Sequence, residues 1–413
     1  MSGPLPDPAP LLRTYPGLAA LLAALDGAGE ETRLVGGAVR DWLLGLEGRS
    51  DVDLATTAVP EEVVRRAEAA GFKTVPTGIA HGTVTVIAAG VPFEVTTLRE
   101  DVATDGRRAV VRFGRDWAHD AARRDFTMNA LYLTRGGELV DPVGGVPDAL
   151  AGLVRFIGDP DQRIREDYLR ILRLFRFHGS HGRGPLDAAA LAAAVRQRAG
   201  LAGLSRERVR AEFVKLLVAP RAAETLAAMD AAGVLADVLG SPGDIAAAMR
   251  LCALEAGLDL APDPLRRLAA LAVRGEGDTA RLREGLRLTN AEAKRLERLT
   301  DRRLELAPDL TDLERCAALY HLGLEGYRDR VLFDFARSGA DVDDGGWRDL
   351  VRLPELWTPP VFPINAGAFL ARGLPQGPAI GAALRRTEAL WIERGFPEDP
   401  MALLMLVRDG MEG

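Results

Sequence analysis

The stretch "VGGAVRDWLLGLEGRSDVDLAT", residues 35–56, decides the fold, because it combines a glycine turn, a short helix and an acidic strand in one run. Gly36 and Gly37 allow the backbone to approach an anion closely, and a helix that opens just after them points its positive end to the same place. Asp51 and Asp53 are two residues apart, so on a strand both carboxylates project from one face. The pattern predicts an anion site beside a pair of acids.

Two neighbouring carboxylates repel each other, and Mg²⁺ relieves that repulsion because it prefers hard oxygen ligands. The alternative for Asp51 and Asp53 is a solvent-facing strand that happens to carry two acids. Arg40 is a candidate for contact with a triphosphate oxygen, although it could equally pair with Asp41 on a helix surface. Glu94, in the strand-like run that follows, is a candidate third carboxylate, with a capping or solvent-facing role as the alternative.

Composition excludes several classes of protein. The chain has 413 residues, a hydrophobic content of 47% and a net charge of −7, which argue for a globular protein of about three domains without a generally basic surface. Cys252 and Cys316 lie in apolar, helix-like contexts, so we expect buried free thiols and no disulfide framework. No run reaches the roughly 18 apolar residues of a membrane span, and the start lacks a basic signal segment. We therefore expect no membrane association and a reducing, cytoplasmic location.

The fold class predicted from periodicity is α+β. Up to about residue 155 the pattern is mixed, and after residue 160 Ala, Leu, Arg and Glu recur at helical spacing. A helix is predicted over 58–72, strands over 81–90 and 92–100, and a hairpin around Gly136 and Gly137. A small mixed sheet with helices therefore precedes a long helical remainder.

Four segments, taken in chain order, resemble one family of enzymes. The opening stretch resembles the first motif of the bacterial-type tRNA nucleotidyltransferases, the CCA-adding enzymes, and of the related bacterial poly(A) polymerases. The run "AARRDFTMNALYL" (121–133) resembles their second motif, residues 141–179 resemble the flexible turn and base-recognition helix, and "LSRERVRAEFVKLL" (204–217) resembles the element after it. The resemblance covers about residues 30–220, and an ordered set is more specific than any single motif.

The resemblance implies the architecture and the reaction. It implies a polymerase-β-like nucleotidyltransferase head over residues 1–155, a neck over 156–220, a helical body over 221–350 and a helical, tRNA-binding tail over 351–413. It implies template-independent addition of C, C and A to the 3′ end of tRNA, from CTP and ATP. Asp51 and Asp53 are implied to hold two Mg²⁺ ions, one activating the primer 3′-hydroxyl and the other steadying the leaving pyrophosphate.

The second motif supplies two more candidates. Arg124 is the best candidate for a phosphate or sugar contact, and Asp125 could accept a hydrogen bond from a ribose hydroxyl. The alternative is a helix start in which Asp125 is an N-terminal cap.

The run "REDYLRILRLFRF" (165–177) supplies the candidate base readers. On a helix, Asp167, Arg170 and Arg173 recur every three residues and line one side. The resemblance implies further nucleotide contacts for Arg173 and Arg176. Cytosine and adenine both present an amino donor beside a ring-nitrogen acceptor, which an Asp acceptor and an Arg donor match. Uracil and guanine would leave buried groups unpaired, at about 1–3 kcal/mol each. The alternative is an amphipathic helix with a surface ion pair.

Other interpretations stay open from the sequence. A poly(A) polymerase would use the same chemistry, and a catalytically silent RNA-binding protein would need a broken acid pair. The resemblance implies a mobile loop that reshapes the pocket between C and A, and the charged run 98–117 is the candidate for this loop. The arginine-rich run 195–215, which includes Arg208, is predicted to contact tRNA phosphates or to be a solvated helix face. The sequence does not indicate the oligomeric state.

Overall fold

The structure, a computed structural model, describes residues 6–46, 51–79, 82–105, 108–275, 277–301 and 305–412. The chain divides into two compact units, residues 1–238 and residues 239–413. The predicted division into head, neck, body and tail stays a prediction.

The strands all lie in the first unit and are short. Their bounds are β1 (Thr32–Val35), β2 (Asp53–Thr56), β3 (Lys73–Gly78), β4 (Thr83–Ala88), β5 (Val91–Thr97), β6 (Arg99–Asp105), β7 (Arg108–Phe113), β8 (Tyr132–Thr134) and β9 (Leu139–Val140).

The helices of the first unit surround the sheet and then continue without further strands. Their bounds are α1 (Ala9–Thr14), α2 (Leu18–Leu25), α3 (Gly37–Leu43), α4 (Pro60–Ala69), α5 (Trp117–Ala122), α6 (Gly145–Ala151), α7 (Pro160–Glu166), α8 (Leu169–His181), α9 (Ala188–Gln197), α10 (Arg206–Leu217), α11 (Ala222–Ala231) and α12 (Val234–Leu239), with 3₁₀ turns at Thr127–Asn129 and Arg198–Gly203.

The described part of the second unit contains helices only. Their bounds are α13 (Ile245–Gly257), α14 (Pro264–Ala272), α15 (Asp278–Gly285), α16 (Asn290–Leu299), α17 (Asp312–Ser338), α18 (Gly345–Leu356), α19 (Ala366–Leu370), α20 (Pro378–Glu393) and α21 (Pro400–Glu412). Together with the mixed sheet of the first unit, they confirm the predicted α+β class.

Seven strands form one mixed sheet in the order β3-β4-β5-β2-β1-β8-β9, and β6 pairs with β7 in a separate two-stranded hairpin. The pair β2–β5 is parallel, and the other pairs are antiparallel. The predicted helix over 58–72 is confirmed as α4, and the predicted hairpin at Gly136 and Gly137 is confirmed as β8–β9.

The register of the sheet separates its two faces. One row of partnered residues is entirely apolar and 0% exposed, and its members are Leu133, Leu34, Leu54, Val95 and Val84. Helices α2 and α4 pack on the strands that carry this row. Burial of each such side chain stabilises the fold by about 1.5–3 kcal/mol.

The adjacent row points to the opposite face and carries the candidate acids. It runs from Tyr132 through Val35 and Asp53 to Glu94. Val35 and Tyr132 are buried in a cluster with Ala121 of α5. The apolar row thus fixes the register that places the two acids side by side.

Three predictions differ from the structure. The run 98–117 is predicted to be a loop, but its described residues form the hairpin β6–β7 and the start of α5. Cys252 and Cys316 are free, as predicted, but each is only partly buried. Residues 165–177 are predicted to form one helix, but they are divided between α7 and α8, with Asp167 outside both. Among the described residues, no helix is long and apolar enough to cross a membrane.

We expect Gly145→Ala to destabilise the head strongly. Helix α6 begins at Gly145 and packs on the 3₁₀ turn Thr127–Asn129, where an added Cβ overlaps the carbonyl oxygen of Thr127. Overpacking against backbone costs about 1–3 kcal/mol, measurable as a lower midpoint in urea denaturation. Gly285→Ala is the matched control, because a Cβ there meets open space. Equal midpoints for the two variants would contradict this packing.

Candidate functional site

A cavity of about 360 Å³ in the first unit is lined by half of the candidate residues. It is bounded by the β1–α3 turn, by the segment after α5, by the start of α8 and by α10. Its lining residues are Gly36, Arg123, Arg124, Asp125, Asn129, Asp167, Leu169, Arg170, Arg173 and Arg208. Five arginines and two aspartates give the lining a net positive charge, which suits an anionic ligand.

The glycine turn lies at the cavity, but its role is partly internal. Gly36 has a φ of 76° and caps α3, and its N–H donates to the carbonyl of Leu131. A side chain at Gly36 would approach Arg124 and the carbonyl of Asn129. Gly37 is the first residue of α3 and does not line the cavity. The glycines therefore allow a tight junction between β1, α3 and the second motif.

The predicted acids share one face, as expected. Asp51 and Asp53 are exposed, while Val52 between them and Leu54 after them are buried. Strand β2 begins at Asp53, so Asp51 immediately precedes it. Glu94 is also exposed and is the direct register partner of Asp53 on β5.

The acids act on one another electrostatically. Loss of hydration raises the pKa of Asp53 to about 6, and the negative charges of Glu94 and Asp51 add to the rise, while Arg124 opposes it. A nearby cation would therefore stabilise the ionised form of Asp53.

The donor set fits Mg²⁺ as a two-carboxylate site. Within the described ranges, no three His, Cys, Asp or Glu side chains come together closely enough to hold a metal ion, so Glu94 is not brought into a three-acid cluster. Mg²⁺ is commonly held by one or two carboxylates together with water and substrate phosphates. Two exposed, mutually repelling carboxylates on one strand edge meet that requirement.

Arg124 is half-buried and held from behind. Its Nε and Nη2 donate to Asp120 Oδ2 at 3.2 and 3.1 Å, and Tyr132 donates its hydroxyl to the same oxygen at 2.8 Å. Burial raises the pKa of the Asp120 carboxyl, but Arg124 and Arg123 outweigh this effect and hold it below its usual range. Arg124 therefore presents a fixed positive charge to the cavity.

Asp125 is engaged on both oxygens. Its Oδ2 accepts from Arg173 Nε at 2.7 Å, and its Oδ1 accepts from the N–H of Phe126 at 2.8 Å and from Asn129 Nδ2 at 3.3 Å. It is not the cap of a helix, because a 3₁₀ turn follows it. Burial raises the pKa of Asp125, but Arg173 holds it below its usual range.

The candidate base-reading residues Asp167 and Arg170 both line the cavity, but they do not lie on one helix as predicted. Asp167 has extended backbone between α7 and α8, where its Oδ1 accepts from the N–H of Leu169 and its Oδ2 from Arg208 Nη2 at 2.7 Å. Arg170 donates to Glu166 at 2.7 Å and to the carbonyl of Arg163. Asp167 and Arg170 both line the cavity, although they do not share a helix and do not pair with each other.

Arg40 and Arg176 do not line the cavity. Arg40 is 3% exposed, donates to Asp41 at 2.7 Å and to Asn129 Oδ1 at 2.6 Å, and therefore differs from the predicted phosphate contact. Arg176 pairs with Glu212 and lies over the ring of Phe177 at 4.0 Å. Both residues join elements of the first unit around the cavity.

Four lining residues were not predicted from the sequence to belong to this site. They are Arg123, Asn129, Leu169 and Arg208. Asn129 lies four residues after Asp125 in the second motif, and that spacing could have indicated it. Arg208 belongs to the basic run predicted to contact tRNA, but its guanidinium is taken up by Asp167.

Known proteins share both the sequence and the fold. Residues 32–155 match the family model described as the poly A polymerase head domain, and residues 186–243 match that of a probable RNA and SrmB-binding site of polymerase A. The chain is 33% identical over 401 residues to the mitochondrial CCA tRNA nucleotidyltransferase 1 of Mus musculus, covering 95% of this chain and 90% of the relative. It is 42% identical over 208 residues to the CCA-adding enzyme of Leuconostoc mesenteroides, covering 50% of each.

A solved structure extends the similarity. The crystal structure of the Bacillus stearothermophilus CCA-adding enzyme in complex with CTP has a TM-score of 0.77 and 30% identity to this chain, and the match covers 98% of both chains.

We expect Arg40→Ala to unfold the chain more readily because it leaves Asp41 buried without its main counter-charge. Breaking one side of a buried ion pair costs about 3–5 kcal/mol, measurable by urea denaturation. Arg65→Ala is the control, since Arg65 pairs with Glu62 but is 66% exposed, and it should leave the midpoint of denaturation nearly unchanged. If the Arg40→Ala protein is stable but binds nucleotide more weakly, the result would instead support the predicted contact between Arg40 and a phosphate.

Proposed function

This chain belongs to the family of the CCA tRNA nucleotidyltransferases, and we propose that it adds C, C and A to the 3′ end of tRNA in the cavity described above. It uses CTP and ATP, without a nucleic-acid template, and releases pyrophosphate. The observation that carries the proposal is the juxtaposition of Arg124 and Asp53. Arg124 lines the cavity, and its charge opposes the rise in the pKa of Asp53, so the acids lie within electrostatic reach of the ligand site.

Asp51 and Asp53 hold Mg²⁺, the metal best suited to two carboxylates and a triphosphate. Bound Mg²⁺ supplies charge neutralisation for the triphosphate and lowers the pKa of the primer hydroxyl. Glu94 lies beside Asp53 and keeps negative charge concentrated there, which strengthens the attraction for a cation.

The arginines of the cavity bind and orient the triphosphate and the sugar. Arg124 and Arg123 present guanidinium groups at the wall next to the acids, where they compensate phosphate charge. Asp125 accepts a hydrogen bond from a ribose hydroxyl, through lone pairs that Arg173 and Asn129 do not occupy. This contact favours ribonucleotides. Gly36 lets the backbone approach the same region closely.

Asp167 and Arg170 select the base. An incoming cytosine or adenine replaces the contact of Asp167 with Arg208, which is weak because the Arg208 side chain is 50% exposed. The Asp167 carboxylate then accepts a hydrogen bond from the exocyclic amino group, and Arg170 donates a hydrogen bond to the ring nitrogen. Uracil and guanine present the opposite pattern and are rejected.

The compartment we propose is the cytoplasm. The two cysteines are free thiols, as expected in a reducing environment.

The reaction is tested with a tRNA that lacks its CCA end, incubated with Mg²⁺ and with CTP, ATP or both, followed by sequencing of the product ends. We expect CC with CTP alone and CCA with both nucleotides. Asp51→Asn and Asp53→Asn should fold normally and lose at least about 10³-fold in rate, because the metal loses a ligand. Glu61→Gln, an exposed acid of the same unit, is the control. A poly(A) tail on the product, or full activity in both Asn variants, would contradict the proposal.

Base selection is tested with Asp167→Ala. Loss of the acceptor should raise incorporation of UTP or GTP relative to CTP by about 10-fold or more, as a mispaired group costs about 1–3 kcal/mol. Asp161→Ala removes another aspartate–arginine pair, with Arg196 on the surface, and should leave the ratio unchanged. Unchanged discrimination in Asp167→Ala means that another residue reads the base.

A further inference from the structure

Asp120 is a buried carboxylate in the first unit that the proposed mechanism does not use. It belongs to α5, is 1% exposed, and lies behind the cavity wall. Arg123 donates to its Oδ1 through Nε at 2.8 Å, and Arg124 donates to its Oδ2 through Nε and Nη2. Two guanidinium groups thus lean on one carboxylate.

Tyr132 completes this arrangement from β8. Its hydroxyl donates to Asp120 Oδ2 at 2.8 Å and accepts from Arg124 Nε at 3.3 Å. The hydroxyl therefore fixes both members of the Asp120–Arg124 pair at once. A ring that is fully buried and packs edge-on against Trp117 has little freedom to move.

The charges of this cluster are unequal. One carboxylate faces two guanidinium groups, so a net charge of about +1 is left at the cavity wall. Within the part of the chain that the structure describes, Nη1 of Arg124 makes no hydrogen bond, and it lies on the side of Gly36. The guanidinium nitrogen that Asp120 and Tyr132 do not contact therefore lies on the side of the nucleotide site.

The register of the sheet sets the distance between Tyr132, which holds Arg124, and Asp53, the proposed metal ligand. Tyr132, Val35 and Asp53 are register partners on β8, β1 and β2, so Tyr132 and Asp53 lie on the same face two strands apart. Strands are spaced about 4.8 Å apart, which sets a separation of about 10 Å between the two backbone positions. That span suits a triphosphate that reaches from a metal at Asp53 to a guanidinium held by Tyr132.

We propose that Asp120 and Tyr132 are positioning residues for the triphosphate, and that they act by holding the Arg124 guanidinium toward the phosphates bound beside Asp53. The inference rests on the proposed function and adds to it the residues that fix the cation. A guanidinium that is held in place before the ligand arrives loses little conformational entropy on binding.

The inference is tested with Tyr132→Phe and Asp120→Asn in the full chain. Tyr132→Phe removes one hydroxyl and no charge, so it separates positioning from electrostatic attraction. Inhibition of tRNA extension by pyrophosphate and by cytidine gives two probes, one with phosphates only and one with none, and the KM for CTP gives a third. We expect both variants to raise the KM for CTP about tenfold and to weaken inhibition by pyrophosphate about tenfold. Inhibition by cytidine should stay unchanged.

Matched controls come from the second unit. Tyr327 is a fully buried tyrosine whose hydroxyl has no partner within the described ranges, so Tyr327→Phe makes the same chemical change elsewhere. Asp329 is 2% exposed and accepts from Arg266 and Arg295, so Asp329→Asn matches Asp120→Asn. Both controls should keep wild-type constants for all three probes, and thermal melting checks that every variant is folded.

Several outcomes would overturn the inference. Equal losses for cytidine and pyrophosphate would indicate general damage to the site, and unchanged pyrophosphate inhibition would place Arg124 on the sugar. Tighter CTP binding in Asp120→Asn would show that its charge opposes the ligand and does not position the arginine. If Asp120→Asn fails to fold, the charge-neutral Tyr132→Phe decides alone. Failure of the wild-type chain to extend tRNA would instead refute the proposed function.

Discussion

Repulsion between carboxylates on two inner strands of the sheet is the constraint on which the site depends. Asp53 and Glu94 are direct partners on parallel strands, and Asp51 precedes Asp53 on the same face. The buried apolar row next to them fixes the register, so the acids cannot separate by sliding. Loss of hydration raises the pKa of Asp53 most, and the negative charges of Glu94 and Asp51 add to the rise. A cation bound by these acids, as we propose, would relieve the repulsion and attract a triphosphate.

The arginines around the cavity concentrate positive charge, and nearby carboxylates compensate part of it. All five arginines that line the cavity pair with a carboxylate: Arg123 and Arg124 with Asp120, Arg170 with Glu166, Arg173 with Asp125, and Arg208 with Asp167. The pairs limit the positive charge and fix the guanidinium groups before a ligand arrives. Donors that are oriented in advance cost little reorganisation during reaction, which is a large source of catalytic stabilisation. The Arg124 and Arg173 pairs are more buried than the Asp167 pair, which we propose exchanges for a base.

Local patterns in the sequence were sufficient for much of this arrangement. Alternation around Val52 indicated the shared face of the two acids, and the turn residues indicated α4 and the β8–β9 hairpin. Contacts between distant segments were not accessible in the same way. The burial of Arg40 depends on Asn129, 89 residues away, and the break at Asp167 has no Gly or Pro to mark it. The charged run 98–117 resembles a loop because half of its residues are polar, yet backbone pairing makes it a hairpin.

The central claim is that the paired aspartates hold a divalent cation next to a protein-lined cavity that receives the base. A crystal grown with CTP and Mn²⁺ tests it most directly, because anomalous scattering locates the metal independently of the nucleotide. The account predicts a Mn²⁺ ion bound by carboxylate oxygens of both Asp51 and Asp53 and by the triphosphate, with cytosine against Asp167 and Arg170. Manganese without contact to either aspartate, or cytosine outside the cavity, would contradict it.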